Sequence, residues 1–220
     1  MHCRLPPGIT IRSGVDDTCL VATRHFAKGA ILYQSSFQYT PVTTTSVHLS
    51  VVQEEGTWQQ RCFVLQRAIH AVTVPGRIRF YTFDSFINHS CDPSSLEIIS
   101  DEVKGVYSVV ALRDIVAGDQ ITQNYNSFVY DECNVGQCLC NTVACVGIVS
   151  GFRRLSPDAQ RALLPHVSRD VLRAMTRDGW LYIEDPGTVP LHRETILAKW
   201  SPTVDPVALI VEGPDRREWL

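Results

Sequence analysis

Three cysteines stand in the segment Cys138-Leu139-Cys140-Asn141-Thr142-Val143-Ala144-Cys145, a Cys-x-Cys-x-x-x-x-Cys spacing. Thiolates crowded this closely suit a tetrahedral ion, and a structural zinc takes four of them. The segment supplies three ligands, and Cys133 or Cys91 stands as the fourth. Buried free thiols or a disulfide are the alternatives, but a Cys-x-Cys pair rarely packs as two inert core thiols. A second cluster, Asn88-His89-Ser90-Cys91-Asp92-Pro93, follows an apolar run of Phe83, Phe86 and Ile87. Asn88 carries a donor and an acceptor on one amide, and His89 offers the same pair on its ring, so both suit a flat heterocycle. The plainer alternative is a turn after a buried strand, with Asn88 and Ser90 capping backbone groups and Cys91 filling core.

The surrounding chain must hold these two clusters. From Ile9 to about Val42, turn signals alternate with short β-type runs: Ile9–Ile11, Cys19–Thr23 and Ala30–Tyr33. No helix-length pattern separates them, which predicts small antiparallel sheets rather than βαβ units. Residues 43–53 read as one long strand or a strand pair. Residues 58–74 fit a short helix or a strand equally. A turn is expected at Pro75-Gly76, after which Ile78–Phe83 lead into the apolar run. Leu96–Ile99 and Val106–Ala111 read as a hairpin around Asp101–Gly105, and Gln120–Tyr125 as a short strand. Beyond the cysteines the period changes. Ser156-Pro157-Asp158 is a helix start, with serine as N-cap and proline in the first turn. Ser168 starts a second helix carrying Val171, Leu172 and Met175, ended by Gly179. From Tyr182 the prolines predict an extended tail with one short helix, 193–200.

Hydrophobic residues make up 45% of the 220-residue chain and charged residues 20%, enough apolar surface for a real core. The net charge of -3 argues against a broad nucleic-acid footprint, which needs a basic surface. No stretch is apolar enough for a membrane span, and the first residues lack the apolar core of a secretion signal. The expectation is an intracellular protein, of cytoplasm or nucleus, in a reducing compartment. There the 8 cysteines point to metal rather than to disulfides.

Three motifs then fall in a known order. Phe86-Ile87-Asn88-His89-Ser90-Cys91-Asp92-Pro93 resembles the Phe-Ile-Asn-His-Ser-Cys-x-Pro motif of SET-domain lysine methyltransferases. Ala111–Ile115 and Gly118–Tyr125 are similar to that family's next block, which ends in a catalytic tyrosine. The cysteine segment resembles its post-SET motif, and Leu20–Thr23 with Lys28–Leu32 its opening strands. Gly151–Pro157 is similar to a compact microbial subgroup, and the resemblance covers about residues 9–165.

The resemblance implies a mostly β, β-clip fold of small antiparallel sheets with a knot-like crossing. To this it adds a zinc-binding post-SET segment and short C-terminal helices. In domain terms it implies SET over 1–131, post-SET over 132–150, and a helical, proline-rich extension over 151–220. It implies S-adenosylmethionine as methyl donor and a protein lysine, histone or non-histone, as acceptor. Asn88, His89 and Leu139 would contact the donor, Tyr125 would sit beside the transferring methyl, and Cys91, Cys138, Cys140 and Cys145 would hold one structural zinc. The sequence departs from the family at three places. Asp17-Thr18-Cys19 stands where the family has Gly-x-Gly, Ser94 follows the proline, and Asn124 precedes the tyrosine. These departures carry a second expectation, a SET fold with lost or changed activity that binds a partner or acts on a small molecule. Tyr81, Tyr107 and Phe128 read as core, with a lysine channel as the alternative.

Overall fold

The computed structural model describes residues 2–13, 18–41, 46–53, 56–63, 77–101, 104–131 and 135–178. The expected tail helix, the turn at 75–76, residues 64–74, Gly179 and Cys133 lie outside the described residues. The chain divides into two compact units. One holds the chain up to Asn124 together with Leu139–Cys145, and the other holds Tyr125–Cys138 together with the chain from Val146 on.

The first unit is built of small sheets, as the short β-type runs predict. Strands β1 (His2–Arg4), β2 (Ile9–Ser13), β3 (Thr18–Ala22), β4 (Ile31–Ser36) and β5 (Gln38–Pro41) open it. They are followed by β6 (Ser46–Gln53), β7 (Gly56–Phe63), β8 (Arg77–Phe80) and β9 (Asn88–His89). The last three are β10 (Ser95–Asp101), β11 (Val106–Ala111) and β12 (Thr122–Gln123). Antiparallel pairs join β2 to β3, β5 to β8, β6 to β7, and β11 to both β10 and β4. β1 lies parallel to β6, and β9 parallel to β12.

The β10–β11 hairpin forms where the sequence places it. Its turn ends at Gly105, whose φ of +70° and close approach to the Phe37 carbonyl exclude a side chain. Residues 46–53 form one strand, and the described part of the ambiguous stretch, residues 56–63, is also strand.

Two expectations change in extent. The buried strand that the plainer reading puts before the Asn88 turn is strand only over Arg77–Phe80, and Phe83–Phe86 form a 3-10 turn. A turn there lets Phe83, Asp84 and Phe86 all be buried, which a strand with alternating faces would not do. The strand expected over Gln120–Tyr125 is only Thr122–Gln123, and Tyr125–Ser127 form another 3-10 turn.

The core of this unit gathers Leu20, Ile87, Tyr107, Val109, Ile115 and Ile121, all fully buried. Tyr81 and Tyr107 belong to it. They pack on Phe37 and on each other, the Tyr81 hydroxyl donates to Glu97, and the Tyr107 hydroxyl donates to Asp84. The core reading therefore holds for these two rings. Burying each large side chain contributes on the order of 2 kcal/mol.

The second unit is helical and loop-built. Its described elements are β13 (Gly136–Gln137), β14 (Ile148–Val149), α1 (Pro157–Leu163) and α2 (Arg169–Arg177), with 3-10 turns between. Ser156 caps α1 by accepting from the Ala159 amide, and Ser168 caps α2 by accepting from the Val171 amide. Both caps stand where the sequence signals them. Val171, Leu172 and Met175 bury one face of α2 against Phe152 and Leu164. No helix among the described residues is long and apolar enough to cross a membrane.

Candidate functional site

The apolar run delivers its polar cluster as expected. Phe86 and Ile87 anchor in the core, so the chain emerges from it at Asn88 with β9 half-buried. β9 pairs with β12 in parallel, with Asn88 opposite Thr122 and His89 opposite Gln123, and the Ser90 amide donates to the Gln123 carbonyl. Two strands so short need side-chain support. Ser94 supplies it, a residue that stood out in the sequence only as a departure from the family. Its amide donates to Thr122 Oγ1 at 3.0 Å, and its hydroxyl accepts from the Thr122 amide at 2.9 Å. The Ser95 hydroxyl donates to the Thr122 carbonyl at 3.0 Å. The turn itself is tied by the Ser90 hydroxyl, which donates to the Asp92 carbonyl. The signal that could have found this clasp is a pair of small hydroxyl residues just after a proline, answered by one threonine in the strand before the tyrosine.

His89 Nε2 lies 3.3 Å from Cys91 Sγ. Burial pushes the imidazole down to about 4, so the ring is neutral at neutral pH. The Sγ atoms of Cys91, Cys138, Cys140 and Cys145 all lie within 4.8 Å of one another. A Zn–S bond of about 2.3 Å places tetrahedral sulfurs about 3.8 Å apart, so four thiolates at this spacing can hold one ion with small side-chain adjustments. The backbone makes the arrangement. Asn141, in the left-handed region at φ 52°, turns the chain immediately after Cys140. The Cys145 amide then donates to the Thr142 carbonyl, and the Cys138 amide to the Gly147 carbonyl. The alternative fourth ligand, Cys133, lies outside the described residues.

Tyr125 follows Gln123 by two residues and is half-buried in a 3-10 turn whose Asn126 and Ser127 are buried, with its ring 5.4 Å from Phe128. The turn is held rigidly within the second unit. Asn126 Oδ1 accepts from the Gly151 amide at 2.9 Å, and the Ser127 carbonyl accepts from the Ser168 amide. Gly151, at φ +96°, has no room for a side chain, because a Cβ would meet the Tyr130 carbonyl oxygen at 2.8 Å. Leu139 is exposed to 76% and makes no buried packing here. At the position of the family's glycines, Asp17 is outside the described residues, and Thr18 and Cys19 begin β3. Cys19 is buried but is not part of the core cluster; Leu20 and Ala22, on the opposite face of the strand, are.

A sequence model of the SET domain matches residues 17–126, which is half of the 220-residue chain. The chain belongs to the SET-domain family. The match includes the Asn-His block, the clasp and Tyr125, and it ends before the Cys138–Cys145 segment. Over 75 residues this SET chain is 35% identical to the histone-lysine N-methyltransferase ash1 of Drosophila melanogaster. That stretch is 33% of this chain and 3% of the fly protein. Over 66 residues it is 42% identical to a variant-silencing SET domain-containing protein of Plasmodium falciparum (isolate 3D7), covering 28% of this chain and 2% of that protein. Among solved structures, it is similar to the methyltransferase domain of human histone-lysine N-methyltransferase SETMAR. The TM-score is 0.37 at 13% identity, over 63% of this chain and 56% of that one. The matched stretches span a small fraction of the sequence relatives' length.

Proposed function

We propose that this SET-domain chain transfers a methyl group from S-adenosylmethionine to the side-chain amine of a protein lysine. The observation that carries the reading is the parallel pairing of Asn88–His89 with Thr122–Gln123, with Tyr125 at the exit of that pair, inside the SET match. Two polar side chains suited to a heterocycle are thereby fixed by backbone pairing rather than by flexible loops, and the phenol follows Gln123 by two residues in the chain.

When bound, the donor supplies a methyl already activated on a cationic sulfur. What remains for the protein is alignment of that methyl with a neutral amine. Lysine's amine has a reference pKa near about 10.4, so it must lose a proton before reacting, and a water-poor channel favours its neutral form. Tyr125, with a reference pKa near about 10, is a poor base at neutral pH and acts as an orienter of the amine through its hydroxyl. Its turn is pinned by Asn126 and Ser127 on either side of the Gly151 and Ser168 amides, which keeps the hydroxyl from drifting.

The four-cysteine cluster is read as one structural zinc. Against a Cys91 thiolate, the neutral His89 ring donates from Nε2. A metal ligand hydrogen-bonded in this way is oriented and its charge is stabilised. The protein would work inside the cell, in the nucleus or cytoplasm, on a histone or another protein.

A second reading has its own observation. Cys19 places a buried side chain on the non-core face of β3, where the family's glycines allow close approach of the backbone. A pocket narrowed there would serve a binding module or a small-molecule substrate instead. The deciding experiment incubates the full chain with isotopically labelled S-adenosylmethionine and histone octamers or a lysine peptide library, read by mass spectrometry. Label on lysine supports the first reading, and donor binding without label on any protein favours the second.

A further inference from the structure

The four sulfurs that converge within 4.8 Å differ in their surroundings. Cys138 is buried, while Cys91, Cys140 and Cys145 keep part of their surface. Cys91 Sγ lies 3.3 Å from His89 Nε2, and Cys140 Sγ lies 3.3 Å from Thr142 Oγ1. Cys145 has neither protection. Its amide donates to the Thr142 carbonyl, but among the described residues no hydrogen bond reaches its sulfur. Thr142 thus acts on two ligands: its carbonyl closes the turn that carries Cys145, and its hydroxyl faces Cys140.

A thiolate holding an ion has no hydrogen to give, so at both contacts the partner donates. The His89 ring donates from Nε2 to Cys91, and the Thr142 hydroxyl donates to Cys140. Hydrogen bonds to a charged acceptor are the strong ones, and they occupy the lone pair that a nucleophile must offer. Such a bond stabilises the thiolate and has to be weakened before the sulfur can attack. Burial restrains Cys138 differently, by keeping reagents away from it. Cys145 is left with the least restrained lone pair and with access to solvent.

We infer that Cys145 is the reactive ligand of the cluster, the site at which a soft carbon electrophile modifies this protein and opens its metal centre. His89 and Thr142 are the residues that restrain Cys91 and Cys140. The inference rests on the zinc reading above. With a haloamide the step is a displacement. The Cys145 lone pair forms an S–C bond, and the carbon–halogen bond breaks with its electron pair leaving as halide. No proton moves, because the sulfur enters as thiolate. The product is a neutral thioether, a poorer ligand than a thiolate, and three thiolates remain for the ion.

The test loads the full chain with zinc and treats it with iodoacetamide beside a colorimetric zinc chelator. Adducts are mapped against time by peptide mass spectrometry. Cys145 is expected to be alkylated about tenfold faster than Cys91, Cys138 or Cys140, with zinc released at the rate of the Cys145 adduct. Thr142→Val should speed alkylation of Cys140 about tenfold, and Thr142→Ser, which keeps the hydroxyl, should not. His89→Phe should act likewise on Cys91, and His89→Gln, which keeps a donor, should not. Cys145→His keeps a ligand without a thiolate and should slow the electrophile-driven release of zinc to the rate of the remaining cysteines. Three results would overturn the inference. One is Cys91 or Cys140 reacting as fast as Cys145 in the wild type, and another is zinc that stays bound after Cys145 is fully modified. The third is Thr142→Val protein that holds zinc and leaves Cys140 as slow as before. Wild-type protein that takes up no zinc defeats the zinc reading itself, and the inference with it, and metal analysis separates this outcome before any electrophile is added.

Discussion

The two ends of the Asn88–Pro93 stretch are finished in different ways. At its Cys91 end, four thiols from distant parts of the sequence converge within 4.8 Å, and the backbone turns that bring them there are closed by the chain's own hydrogen bonds. At its Asn88–His89 end, the backbone pairing is equally fixed, and the enclosed Gln123 amide beside it has no hydrogen-bond partner among the described residues. The first end gathers four side chains that could hold one ion. Under the proposed function, the second is where the methyl donor binds. Under the proposed function, an ion held at Cys91 would steady the strand that carries Asn88 and His89 without taking part in the reaction.

That comparison can be broken first at the metal. Changing Cys91→Ser should abolish stoichiometric zinc and lower unfolding stability by at least about 3 kcal/mol, because site formation and folding are linked. Metal analysis together with chemical unfolding checks both parts. Full stability without zinc would mean that the four thiols are only packed together. The pocket end responds differently. Tyr125→Phe should reduce methyl transfer about 100-fold and leave the donor's dissociation constant unchanged, as measured by a labelled-methyl assay and by calorimetry. A parallel loss of donor affinity would remove Tyr125 from the orienting role.

The clasp between the two ends should give a smaller effect. Ser94→Ala deprives the Thr122 amide of its acceptor and should cost about 1–3 kcal/mol in urea unfolding. It should also weaken donor binding, since β12 would no longer be held against β9. The smallest effect belongs to the second unit. Ser168→Ala removes the α2 cap and should cost about 1 kcal/mol with no change in zinc content.

Much of this was legible in the sequence, for reasons that differ by element. The caps at Ser156 and Ser168 are local chemistry, so the residue type and the next three positions suffice. The β10–β11 hairpin follows from alternation and a glycine that its turn requires. The site motifs could be read because their spacing is short. The SET match bears out the family, and the four sulfurs come together as the resemblance implied. The two 3-10 turns, at Phe83–Phe86 and Tyr125–Ser127, were hidden because their apolar and polar residues suit a strand equally well. Only the depth of burial around them selects a turn. Ser94 and Gln123 were hidden for another reason. Ser94 looks like an ordinary loop serine and Gln123 like a surface strand residue, and each takes its meaning from a partner about thirty positions away across the β9–β12 pair. Long-range pairing of this kind leaves no periodic trace in sequence.

The central claim is that the Asn88–His89 end is a working donor site despite Asp17-Thr18-Cys19 standing in the place of glycines. Calorimetric titration of the zinc-loaded full chain with S-adenosylmethionine tests it most directly. The account predicts saturable binding of one donor per chain. No heat of binding up to millimolar donor, from protein that is folded and carries its zinc, would contradict it.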